Sequence, residues 1–108
     1  MAHFKALFKT KHEKAVGVVE KEFMKYFGKA PGKKSLVMPD GDKITSLSYF
    51  DPAGIFHTCY VKFKIETSPH PGYVSISSDY CGHYEKTYAG MWQKIYSELY
   101  LASFNQTK

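Results

Sequence analysis

PGYVSISSDYCGHYEKTYAGMWQKIYSELY, residues 71–100, is the stretch that decides how the rest of the chain is read. It begins as a strand, Tyr73-Val74-Ser75-Ile76-Ser77, with Val74 and Ile76 on one face and Tyr73, Ser75 and Ser77 on the other. Strict alternation is the mark of a half-buried sheet strand. A tight passage, Asp79 to Glu85, follows, and from Tyr84 the period changes. Tyr88, Met91, Trp92, Ile95, Leu99 and Ala102 recur every three or four residues, which makes one apolar stripe on a helix. The plainest role of that stripe is core packing, so function has to be sought on the other faces.

Working outward, residues 56–66 form the clearest strand, with Cys59, Val61, Phe63 and Ile65 facing one way and Tyr60, Lys62, Lys64 and Glu66 the other. Strands are also expected at His3–Lys9 and Lys43–Phe50, and a turn at Asp51-Pro52-Ala53-Gly54. Between Lys11 and Phe27 the apolar residues Val16, Val19, Phe23 and Phe27 take helical spacing, and Gly28 and Pro31 mark the end of that helix. Lys29 to Asp42, with two glycines and two prolines, reads as a connecting segment whose Asp40-Gly41 is a turn signal. Ser68 to Gly72 is a second turn. The expected fold is therefore α+β: an antiparallel sheet of about four strands with two helices packed on one face, in the order βαβββα, built from two similar strand–helix units. The polar side of the sheet would carry Tyr60, Tyr73 and Tyr49.

The chain of 108 residues makes one domain, long enough for a real core. Its formal net charge is +5, concentrated in residues 1–43, which hold ten lysines against five acids. All fifteen cations are lysine, so there is no planar fork to read guanine or to grip phosphate with two bonds. That composition argues against nucleic acid as a partner, and against sequence-specific reading above all. No apolar run approaches the ~18 residues of a membrane span and no leader pattern is seen, which sets the expectation of a cytoplasmic protein with no membrane partner.

Cysteine and histidine invite two chemical readings. His57-Thr58-Cys59 and Cys81-Gly82-His83 bring together residue types that bind zinc, but without Cys-x-x-Cys spacing, and Cys59 shares its face with Val61, Phe63 and Ile65. Packed, reduced thiols explain them more simply, so no metal and no cofactor are called for. Cys81 before Gly82-His83 is the best candidate nucleophile, yet no complete catalytic constellation, phosphate loop or dinucleotide fingerprint is present, and no catalytic residue is assigned. Cys59-Tyr60-Val61-Lys62-Phe63 faintly echoes the aromatic strand of RNA-recognition motifs, without the Lys/Arg-Gly that precedes it there.

Taken together, several short motifs resemble the gyrase-inhibitor-like (GyrI-like) small-molecule-binding domains. Tyr49-Phe50-Asp51-Pro52 is similar to that family's aromatic-Asp-Pro step, and Pro71-Gly72-Tyr73 to its Pro-Gly-Gly-x-Tyr. Gly82-His83-Tyr84-Glu85 is similar to its Gly-Pro-Tyr-Glu, and Trp92 to Tyr100 to its last helix. The resemblance implies helices on one side of an antiparallel sheet and a ligand cleft on the other, in a stand-alone binder of aromatic or lipophilic, often cationic, small molecules. The family's final strand has no counterpart here, which would leave a sheet edge open to pairing in a homodimer. On this reading Tyr49, Tyr60 and Tyr73 form an aromatic wall, with Tyr84 and Trp92 near its end and Glu85 or Glu66 as counter-charge. The alternatives are an RNA- or single-stranded-DNA-binding module using Lys and Tyr on the sheet face, and a small hydrolase of the same fold.

Overall fold

The computed structural model describes residues 2–51, 59–81 and 84–100. In chain order these form β1 (Ala2–Lys9), α1 (His12–Phe27), β2 (Gly32–Val37), β3 (Lys43–Asp51), β4 (Cys59–Thr67), β5 (Tyr73–Tyr80) and α2 (Glu85–Ile95). The axis of α2 is continued by a π-helical turn, Tyr96–Tyr100. The five strands make one sheet in the order β1-β5-β4-β3-β2, with every neighbouring pair antiparallel. The class is α+β, as the alternation and the change of period predict.

The count of four strands and the order βαβββα are corrected to five and βαββββα. The extra strand is β2, in the segment read as a connection. All six of its residues are exposed, so it has no buried side and no alternation to detect. It is a strand because its backbone pairs with β3, Lys34 standing opposite Ser46 and Leu36 opposite Ile44. An edge strand carrying lysines is a common way to blunt unwanted pairing. The Asp40-Gly41 turn closes the β2–β3 hairpin, with the Met38 amide donating to the Asp42 carbonyl at 2.7 Å. Strand β5 runs three residues further than its apolar alternation, taking in Ser78, Asp79 and Tyr80.

Both helices lie on the same face. Register puts Thr45, Leu47 and Tyr49 of β3 beside Ile65, Phe63 and Val61 of β4, and Ile76 and Ser78 of β5 beside Ile65 and Phe63. Onto this surface α1 lowers Ala15, Val16, Val19 and Phe23, and α2 lowers Tyr88, Met91, Trp92 and Ile95, all buried. Phe63, 1% exposed, is the common contact: its ring meets Phe23 edge-on at 5.9 Å and lies 5.4 Å from Trp92 and 6.0 Å from Tyr88. Burial of a ring of this size stabilises the fold by a few kcal/mol.

Two details fix the helices. Gly28 ends α1 at φ 70°, a left-handed conformation natural to glycine, and its amide donates to the Met24 carbonyl at 2.9 Å. Gly90 lets the helices approach, since a Cβ there would run into the Tyr26 hydroxyl of α1. Under α2 the Trp92 indole N–H donates to Ser78 Oγ at 2.7 Å, and the same oxygen lies 2.6 Å from the Tyr88 hydroxyl. Three polar groups are thereby satisfied inside an apolar layer. Among the described residues no helix is long and apolar enough to cross a membrane.

Candidate functional site

The opposite face of the sheet is covered by no described element. Alternation sends to it Lys5, Leu7 and Lys9 from β1, Tyr73, Ser75, Ser77 and Asp79 from β5, and Tyr60, Lys62, Lys64 and Glu66 from β4. Ile44, Ser46, Ser48 and Phe50 come from β3, and Lys34 and Leu36 from β2. Five lysines thus face two carboxylates. Small side chains alternate with long ones across the strands, so the face holds a groove of about 550 Å³. Its sides include Lys34, Lys62, Lys64 and Asp79, and its floor Ser46 and Ser48.

At one end of the groove Phe50, 49% exposed, lies beside Tyr60 with ring centroids 6.1 Å apart. The Lys62 ammonium sits 5.5 Å from the centre of the Phe50 ring and 5.1 Å from that of Tyr60. Burial pushes the Tyr60 phenol above its ordinary pKa, and the Asp79 carboxylate adds to the shift, so the hydroxyl stays protonated and can donate. Lys64 pairs with Glu66 at 3.3 Å, both partly solvated, a contact of little stabilising weight that a stronger anion can replace.

The residues expected to form one aromatic wall are distributed over both sides. Tyr49 and Tyr84 come together on the helix side, where Phe27 stacks on Tyr49 at 4.1 Å and meets Tyr84 edge-on at 5.6 Å. Tyr49 faces the helices because it shares the parity of Leu47. Trp92, 6% exposed, belongs to the core. Tyr60 and Tyr73 do share the open face, but at opposite ends. Tyr60 accepts from the Cys81 amide, and Tyr73 lies eight residues back along β5, about 26 Å at the rise of a strand. Glu85 is exposed in the first turn of α2, apart from the groove. His57, Thr58, Gly82 and His83, and with them the Gly-His step and the paired Cys/His readings, lie outside the described residues, as does the Cys59 side chain. Among the described residues no cluster of three or more His, Cys, Asp or Glu is placed to hold a metal.

A second depression, about 450 Å³, lies where β1 passes into α1. There His12 Nε2 is 2.8 Å from Thr45 Oγ1, and Lys43 Nζ donates to Glu13 at 2.7 Å. Burial lowers the His12 pKa, which keeps the ring neutral near pH 7. A neutral imidazole next to a hydroxyl is the chemistry of an activated nucleophile, but Thr45 is 4% exposed and shared with Ser35 Oγ at 3.4 Å. The pair fastens α1 to β3 and presents no reacting atom to solvent.

Sequence reasoning puts Lys62, Lys64, Lys5 and Ser77 on the outward faces of their own strands but misses Lys34, Ser46 and Ser48 and the row that joins them. Their positions depend on register, which no local signal carries. No family model, curated protein or solved structure matches the chain.

Proposed function

We propose that the protein is a binding protein for an anionic ligand that carries a flat ring, taken up on the helix-free face of the sheet. The observation that carries this reading is the groove between Lys34, Lys62 and Lys64, with Phe50 and Tyr60 at its end. Ammonium groups over a floor of serine hydroxyls suit a phosphate or carboxylate, and an exposed Phe50 beside a half-buried Tyr60 suits a planar group. The small-molecule class and a cleft opposite the helices are what the likeness to GyrI-like domains implies. The sign of the charge is where the reading changes: the cationic ligand expected from the likeness would meet three lysines in this groove. On the helix side it would meet Lys29, already 4.9 Å from the Tyr49 ring. A binding role is favoured over hydrolysis because the His12–Thr45 pair has its hydroxyl sealed.

Equilibrium binding of adenylate, adenosine and a ring-bearing cation of similar size tests the reading. Adenylate should bind best and the cation least, and Lys64→Gln should weaken adenylate about fivefold, the equivalent of about 1 kcal/mol for one surface charge contact. Preference for the cation, or indifference to Lys64→Gln, would overturn it.

A further inference from the structure

Pairing registers place Lys5 opposite Ser77, Ser77 opposite Lys64, Lys64 opposite Ser46, and Ser46 opposite Lys34. Lysine and serine therefore alternate in a straight row across all five strands. We infer that the ligand of the open face is a single-stranded nucleic acid that crosses the sheet along this row, a conclusion that rests on the anionic-ligand reading above.

Neighbouring strands are about 4.8 Å apart, so successive lysines of the row stand about 10 Å apart and its ends about 19 Å apart. A single nucleotide in the groove cannot reach Lys5 and Lys34 together. A polymer with a charge on every unit can. The row also begins and ends on edge strands, β1 and β2, and no described element stands across either end. A chain can enter over one edge and leave over the other without threading.

The next row toward the Phe50 end contains Asp79, Lys62 and Ser48, and Phe50 and Tyr60 follow, paired across β3 and β4. Phosphates on the lysine row would thus have bases directed at two rings, with Lys62 beside both. Stacking on those rings needs bases with an open face, which a single strand offers and a duplex does not. Serine between the lysines keeps the trough shallow enough for a backbone to lie in it. Lysine without arginine gives charge contacts with no fork to read base edges, so sequence preference should be weak. Asp79 and Glu66 oppose the row, and they limit the gain to about three phosphate contacts.

The test is anisotropy of a labelled oligodeoxythymidylate of about a dozen nucleotides, titrated with the full chain at several salt concentrations. Thymidylate, a duplex of the same length and phosphatidylserine vesicles serve as comparisons, and thermal melting checks the fold of each variant. The inference expects the oligonucleotide to bind at least about tenfold tighter than the mononucleotide. Its log K should fall with log salt at a slope of about −2, as three contacts on a single strand require. Lys5→Gln should weaken the oligonucleotide severalfold and leave the mononucleotide unchanged. Phe50→Ala should cost the oligonucleotide about tenfold. If the mononucleotide binds as tightly as the oligonucleotide and only Lys64→Gln matters, the polymer is wrong and the small anion stands. If neither binds, both readings fall. Equal or tighter binding of duplex or vesicles, indifferent to Phe50→Ala, would replace the single strand by a bare polyanionic surface.

Discussion

Strand β4 shows two selections side by side. Val61, Phe63 and Ile65 are sealed beneath the helices, while Tyr60, Lys62 and Lys64, which alternate with them, stand on the open face. On the helix side the rings interlock around Phe63, and a serine hydroxyl is shared by an indole and a phenol. On the open side no described element packs, and what is arranged is charge at regular intervals. The difference separates the part of the sequence that determines stability from the part free to serve a ligand. Substitutions on the first face should change folding and not recognition, and those on the second the reverse.

The largest break in that comparison would be Trp92→Ala, which empties a central site and strands Ser78. We expect a loss of about 3–5 kcal/mol in denaturant unfolding. The sharpest comparison uses adjacent residues of β5. Ser78→Ala leaves the Trp92 N–H without its partner and should cost about 1–3 kcal/mol. Ser77→Ala, at a neighbour that is also buried but faces away from the helices and serves neither the indole nor the phenol, should cost less. Equal effects of the two serines would erase the distinction between the faces.

A smaller effect concerns Glu22 of α1, 1% exposed, whose Oε1 has no hydrogen-bond partner among the described residues. Burial raises its carboxyl pKa, Glu98 adds to the rise, and Lys25, Lys94 and Lys21 oppose it. The folded chain therefore takes up this proton at a pH where the unfolded chain is still ionised. Ionised Glu22 costs stability at neutral pH, and the cost is relieved as pH falls through the raised value toward the ordinary 4.5. Glu22→Gln should raise the melting temperature at pH 7 and remove that part of the pH dependence. A variant less stable at pH 7 would show that the carboxylate holds the helix in place. Smallest of all on folding, Lys64→Gln should leave the melting temperature within a degree or two, yet reduce the salt slope of oligonucleotide binding by about 0.7.

Much of the helix-covered face was legible in the sequence, because packing leaves periodic traces. The alternation of β4, the stripe of α2 and the close of α1 at Gly28 all follow from local pattern. β2 was not legible, since an exposed edge strand is held by backbone pairing that its side chains do not advertise. The position of Tyr49 is in reach of the sequence, as it shares the parity of Leu47 and so falls on the helix side. The candidate site was legible only in pieces. Lys62 and Lys64 could be assigned to the outer face from β4 alone. Their union with Lys5, 59 positions away from Lys64 in the chain, and with Lys34 needs the order β1-β5-β4-β3-β2 and the register of each pair. Charge rows across a sheet are a property of pairing and are invisible to any window along the chain.

The most direct measurement is a titration of the isotope-labelled protein with adenylate, followed by amide and indole nitrogen–proton correlation spectra. The account predicts that the largest shifts fall on Ser46, Ser48, Lys62 and Lys64, with the Trp92 indole signal unmoved. Shifts centred on Phe27, Tyr49, Tyr84 and the Trp92 indole, with the open face silent, would contradict it and put the ligand under the helices.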